Sequence, residues 1–352
     1  MAAFVLVDRF QPSENQPMLE VSTQRWVLTI AVILALLAVD LGLAALRPHV
    51  VGLREAALSS VVYVAVAIAF GLVFWAQEGA ELGTQYFAGY IVEKSLSIDN
   101  LFVFVVIMTA FAVPEAFQQK VLVIGIVLAL VMRAVFIAVG AALLELFSFM
   151  FLVFGVALIL TAVQLYRHRD VDPDVQDNGM VRLARRTLPI TDGYEGGRLL
   201  VRRDGRRMAT PLFLVLIAIG TTDLLFAFDS IPAVFGVTSE PYIVFTANAF
   251  ALLGLRALYF LVQGLLDRLV YLSTGLAVIL AFIGVKLVLH WAHGLSNAVP
   301  EVSTGTSLVV ILGVLAVTTV ASLLASRRDP AARAHAGALR TPAESDRPVR
   351  ND

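Results

Sequence analysis

"TTDLLFAFDSIPAVFG", residues 221–236, places two aspartates, Asp223 and Asp229, six residues apart inside an otherwise apolar run. The run extends back to Pro211 with apolar residues and reads as a membrane helix, where a carboxylate is unfavourable unless something receives it. The rest of the chain has the same character. Of its 352 residues, 59% are hydrophobic and 15% are charged, against about half and about a quarter in soluble domains. There is no cysteine, which excludes disulfides, thiolate metal sites and thiol redox chemistry. The five histidines (His49, His168, His290, His293, His335) fall in loops or at span ends. The first long apolar run begins at Trp26, behind a polar segment containing "QPSENQP", so no cleavable signal is expected.

A hydrocarbon core about 30 Å thick needs roughly 20 apolar residues per helix. Nine stretches qualify, at 26–46, 56–76, 82–113, 121–143, 146–166, 211–237, 242–264, 269–289 and 306–326. The expected fold is therefore an all-α polytopic membrane protein of about nine helices. Residues 1–25 form an N-terminal arm, 26–166 hold spans 1–5, 167–210 form a basic loop, 211–326 hold spans 6–9, and 327–352 form a tail expected to be disordered.

Cation placement sets the orientation. One set of alternating segments holds Arg47, Arg54, Lys120, ten arginines from Arg167 to Arg207, Arg268 and six tail arginines, or 20 of the 26 cationic residues. The other side is assigned only Arg9, Arg25 and Lys94. This predicts a cell-membrane protein with its N-terminus outside and its C-terminus in the cytoplasm. The loop at 167–210 reads as topology-setting, with contact to anionic lipid heads as a lesser role.

The acidic pair of the opening stretch occurs twice. In "EKSLSIDNLFV" (93–103) and "DLLFAFDSIPA" (223–233), Glu93 falls on Asp223, Asp99 on Asp229 and Asn100 on Ser230. The following span in each half carries an arginine, Arg133 in "VMRAVFI" and Arg256 in "GLRALYF". Spans 3–5 and 6–8 enter from opposite sides, which makes them an inverted repeat with its site at the repeat interface. On an ideal helix a six-residue step turns two side chains about 120° apart. A break near Pro232 is the expected way to let both carboxylates face one cavity.

Ionisable residues at membrane depth are Asp40, Glu93, Asp99, Arg133, Asp223, Asp229, Arg256 and Lys286. Each costs about 2.5–3.5 kcal/mol at a helix centre, so together they require partners or a wet interior. Asp40 and Lys286 lie toward span ends, where they can reach headgroups; Arg133 and Arg256 read as structural counter-ions. Five carboxylates against three cations leave a formal excess of two negative charges, which a divalent cation would balance. Asp99, Asp229, Glu93, Asp223, Asn100 and Ser230 are the candidate metal ligands, joined by Ser97, Thr222 and Asn248. Such an all-oxygen set suits hard cations such as Mg²⁺, Mn²⁺ or Ca²⁺ rather than Cu⁺ or Zn²⁺. Carboxylates also carry protons, so proton exchange is the natural driving force.

At these residues the chain resembles the TerC family. "GYIVEKSLSIDNLFVF" (89–104), "TTDLLFAFDSIPAVFGVT" (221–238) and "VFTANAFALLGLRALYFL" (244–261) are similar to its signature segments. That family is named for tellurium resistance, and several members are linked to manganese export. The resemblance implies Mn²⁺ efflux with the six candidate ligands at the motif positions. One departure is Gly220, where many members carry glutamate. Two other readings remain open: oxyanion transport through Arg133, Arg256 and Lys286, and a non-transporting membrane factor acting through the basic loop. No HExxH, GxSxG or intramembrane protease motif is present, so an enzyme is not expected. Expected partners are the bilayer, the metal cation and protons; no nucleic acid and no cofactor beyond the transported metal is expected.

Overall fold

The computed structural model describes residues 21–46, 52–167, 178–203, 206–263, 270–296 and 298–328. The arm at 1–20 and nearly all of the tail, from 329 on, lie outside the described residues. Long helices dominate: α1 (Thr23–Leu46), α2 (Leu53–Glu78), α3 (Ala80–Ala110), α4 (Glu115–Leu146), α5 (Met150–Arg167), α7 (Pro211–Phe235), α8 (Pro241–Leu252), α9 (Leu255–Gln263), α10 (Leu272–Leu295) and α11 (Thr304–Arg328). The basic loop is not featureless. It contains a short helix α6 (Gly179–Thr187) and an antiparallel ribbon of β1 (Leu200–Arg203) and β2 (Arg206–Ala209).

The helices are apolar on both faces, and burial shows how they are used. On α4, Ile126, Ala129, Arg133, Ile137 and Gly140 are buried, while Val131, Val135 and Val139 are 50–57% exposed. An apolar outer face with the polar residue inside is the arrangement lipid demands. The molecule is an all-α polytopic membrane protein. Among the described residues, seven helices are long and apolar enough to cross a membrane, or eight if the bent pair α8–α9 is one span. The third expected span, α3, is 31 residues long. It falls outside that set because its length is interrupted by Glu81, Glu93, Lys94 and Asp99.

Contacts between helix ends define two faces of the bundle. At one face Arg25 of α1 pairs with Glu78 of α2 and donates to Gln77 at 3.0 Å, and Thr238 donates to Gln85 at 2.6 Å. At the other, Lys120 donates to Gly197 O at 2.7 Å and Tyr194 to Phe111 O at 2.7 Å, tying the basic loop to the α3–α4 turn. Within the bundle α3 packs on α8, α4 on α7, and α5 on α10. The last pair crosses at close range. A Cβ on Gly155 would lie 2.7 Å from Gly284 O, and one on Gly284 would lie 2.8 Å from Gly155 O. Small residues at such a crossing let backbones touch, which is how helices gain packing energy without a hydrophobic drive.

The expected break in the acidic helices is not found. Both α3 and α7 run unbroken through their acidic pairs, and α7 carries Pro232 in its last turn. The chain breaks instead in the seventh expected span, where α8 and α9 meet at 46° around Gly254, whose φ is +75°.

Candidate metal-cation site

Glu93, Arg133 and Asp223 are brought together by three helices at mid-length, α3, α4 and α7. Glu93 lies about 20 Å along α3 from its start and Asp223 about 18 Å along α7. Both are buried, at 0% and 3% exposure, and Arg133 is at 0%. Arg133 Nη1 donates to Glu93 Oε2 at 2.6 Å, and Arg133 Nη2 stands 3.9 Å from Asp223 Oδ1. Asn100 closes the group. In the amide orientation that satisfies both ends, its nitrogen donates to Leu96 O at 3.1 Å and its oxygen accepts from Arg133 Nη2 at 2.7 Å. One guanidinium thus ties two acidic motifs from the two halves of the chain.

The pairing is incomplete. Among the described residues, Glu93 Oε1, Asp223 Oδ2, Ser97 Oγ, Ser230 Oγ, Tyr90 OH and Asn248 Nδ2 are buried without a partner at hydrogen-bond distance, although the Asn248 side chain faces the Glu93 carboxylate. Buried polar groups are nearly always partnered, so a concentration of them on α3, α7 and α8 marks a place built to receive something polar. Most are oxygens, and two belong to carboxylates. That chemistry fits a hard cation and its water.

Asp229 sits apart from this group. It is half-buried, and its Oδ1 accepts from Thr161 of α5 at 2.8 Å. The reason is the unbroken helix: the six-residue step sends Asp223 toward α4 and Asp229 toward α5. Asp99 lies on α3 immediately before Asn100, and its side chain is outside the described residues. Among the described residues no three histidine, aspartate or glutamate side chains form a metal-ligand cluster. Of the six candidate ligands, then, Glu93, Asp223 and Asn100 converge on Arg133, Ser230 is a buried unpartnered hydroxyl, and Asp229 belongs to a second position.

The supporting charges divide likewise. Arg256, expected to mirror Arg133, pairs instead with Asp40 of α1 at 3.0 Å. Asp40 is therefore buried in an ion pair, at 3% exposure, rather than reaching headgroups. Lys286 lies on α10. Gly220 packs under Leu128 of α4, whose Cδ2 would be 2.9 Å from a Cβ there; a glutamate at 220 would have to displace it.

Lys94 is a correction. Assigned from sequence to the outer side, it lies beside Glu93 in mid-helix, and its Nζ donates to Ala251 O of α8 at 3.1 Å. The signal was present: Lys94 must share the depth of Glu93. Counting it leaves five carboxylates against four cations, an excess of one rather than two. Thr161 was also missed, since nothing in "LILTAVQL" marks it as a partner of Asp229.

Comparison with known proteins agrees with this architecture. A family-wide description, "Integral membrane protein TerC family", matches residues 78–330. An uncharacterized membrane protein of Mycobacterium tuberculosis is 50% identical over 318 residues, covering 86% of this chain and 79% of that protein. The chloroplast "Thylakoid membrane protein TERC" of Arabidopsis thaliana is 45% identical over 228 residues, covering 65% and 59% respectively. A Salmonella typhi protein named "Putative membrane-bound redox modulator Alx" is 38% identical over 298 residues, covering 82% and 90%. No solved structure matches. The chain belongs to the TerC family of integral membrane proteins.

Proposed function

We propose that the protein is a divalent metal-cation exporter that moves Mn²⁺ out across the cell membrane. The observation that carries this reading is the buried Glu93–Arg133–Asp223 group, with a free carboxylate oxygen on each acid. The oxygen donors account for a hard cation; manganese and the outward direction come from the family resemblance. Glu93, Asp223, Asn100 and Ser230 hold the ion at the centre, and Asp99 and Asp229 serve positions along its path. Protons replace the metal on the carboxylates during the return step.

The packing of α3 on α8 and of α4 on α7 supports the inverted repeat, since exchanging the two halves interchanges these contacts. With α3 counted as a span, the arginine-rich loop and tail lie in the cytoplasm and the N-terminus outside. The oxyanion reading loses ground because the arginines it needs, Arg133 and Arg256, are already engaged by carboxylates. The redox name of the Salmonella relative finds no thiol here, as the chain has no cysteine.

Mn²⁺ binding tests the reading directly. Free Mn²⁺ gives a six-line electron paramagnetic resonance spectrum that broadens away on binding. Purified protein should deplete the signal saturably, with at least about tenfold weaker affinity, or about 1.4 kcal/mol, in Glu93→Gln and Asp223→Asn. Unchanged binding in both folded variants would remove the assigned site.

A further inference from the structure

We propose that the break between α8 and α9 is a small monovalent-cation site made of backbone carbonyls, and that the Lys94 ammonium fills it as a tethered cation. The regular ladder of α8 ends where Leu253 N donates to Ala249 O at 3.1 Å, and the bond from Leu258 N to Gly254 O at 2.9 Å belongs to α9. The last carbonyls of α8 therefore face the end of a helix with no continuing turn. That end carries about half a negative charge. It is also buried: Asn248, Ala249, Phe250, Ala251, Leu252 and Leu253 are all 4% exposed or less. Bulk solvent does not reach it, so a charge on the protein or a bound ion is the effective way to balance it.

Lys94 does so. Its ammonium donates to Ala251 O at 3.1 Å, and among the described residues it has no ion pair. A lysine placed in a membrane interior without a carboxylate is unfavourable unless its charge answers one nearby. Here the nearby charge is the helix terminus. A neutral donor would satisfy one carbonyl; a cation satisfies the terminus. In transporters with broken helices, the exposed carbonyls and half-helix C-termini are sites for Na⁺, and a lysine ammonium presents the same charge from a fixed stem. Glu93 turns to Arg133 while Lys94 turns to Ala251 O, so the two adjacent side chains serve different partners.

The consequence is a coupling role. With Lys94 in place the protein needs no sodium; with a neutral side chain at 94 it should acquire a sodium requirement. This deepens the transport reading and rests on it for any effect on flux. The test is made without manganese, so its failure leaves the carboxylate site standing. Full-length wild type and Lys94→Gln, which keeps a donor for Ala251 O, are purified in detergent. Melting temperatures are then compared in sodium, potassium and choline chloride at equal ionic strength. Wild type should melt alike in all three salts. Lys94→Gln should melt lower than wild type in choline and rise saturably with sodium. A Lys94→Gln protein indifferent to the cation overturns the proposal, and so does a wild type stabilised by sodium to the same extent. Lys94→Met should show the same dependence from a lower starting point. If Lys94→Met folds in no salt, the response of Lys94→Gln decides the matter alone.

Discussion

Removing Arg133 should injure the protein more than removing any single acid it holds. At an effective dielectric of about 20, unit charges separated as in Arg133–Glu93, 2.6 Å, attract by about 6 kcal/mol, and those in Arg133–Asp223, 3.9 Å, by about 4 kcal/mol. These gross figures oppose desolvation, and the net loss on deleting one partner of a buried pair is about 3–5 kcal/mol. Arg133→Met strips a partner from Glu93, Asp223 and Asn100 together. Glu93→Gln leaves Arg133 with Asp223 and Asn100. The expected fall in melting temperature for Arg133→Met is on the order of 10 °C, taking about 2–4 °C per kcal/mol. Glu93→Gln falls less, and the double variant falls by less than the sum, with a coupling of about 1–3 kcal/mol. Asp223→Asn should couple to Arg133→Met by roughly two thirds as much, following the two distances. Arg133→Lys should recover only part of the loss, because one ammonium does not span both carboxylates. Thermal unfolding in detergent gives all of these values. Additive losses across the Arg133–Glu93 cycle would refute the ion pair as drawn.

Gly155→Leu should destabilise by about 3 kcal/mol, since the group it meets is the Gly284 carbonyl at 2.7 Å, which has no rotamer to change; a melting temperature within error of wild type contradicts the close crossing. Asn178 caps α6 by accepting from Met180 N and donates to Thr221 Oγ1, both at 2.9 Å. Asn178→Ala should lose about 0.5–2 kcal/mol, seen as faster amide exchange over 179–187 with α5 and α10 unchanged. Thr161→Val removes the donor to Asp229 and should cost about 1.5–3 kcal/mol with that acid ionised. Asp229→Asn, which keeps an acceptor oxygen, should cost less, and the reverse order would contradict the bond.

Much of this architecture is legible in the sequence because lipid imposes long apolar segments and leaves charges conspicuous. The expected spans match α1, α2, α3, α7, α10 and α11 to within a few residues at most ends, α10 extending furthest. Glu93, Asp223 and Arg133 were singled out as buried charges, and the structure joins them. What could not be read was direction around each helix axis. The spacing of Asp223 and Asp229 demanded either a broken helix or two separate partners. The sequence does not choose between these, and Pro232 drew attention to the wrong place. Pro232 lacks the N–H that would bond to Phe228 O, but it lies in the last turn of α7, and the helix stays continuous through Asp223 and Asp229, whereas Gly254 sits where the chain adopts φ +75°, a backbone state glycine enters freely. The pairing of Arg256 with Asp40 was hidden for another reason: its partners are 216 residues apart, and the repeat suggested a symmetry that the charges do not keep. The docking of the basic loop, through Asn178 to Thr221, has no signal in composition at all.

The central claim is that buried carboxylates of the two acidic motifs carry a divalent metal cation across the membrane. The measurement that tests it most directly is Mn²⁺ flux into proteoliposomes, with and without a pH gradient, for wild type, Asp223→Asn and Asp229→Asn. The account predicts flux in wild type, accelerated by the gradient and abolished in both folded variants. Flux that survives in both, or none from well-folded wild type under either condition, would contradict it.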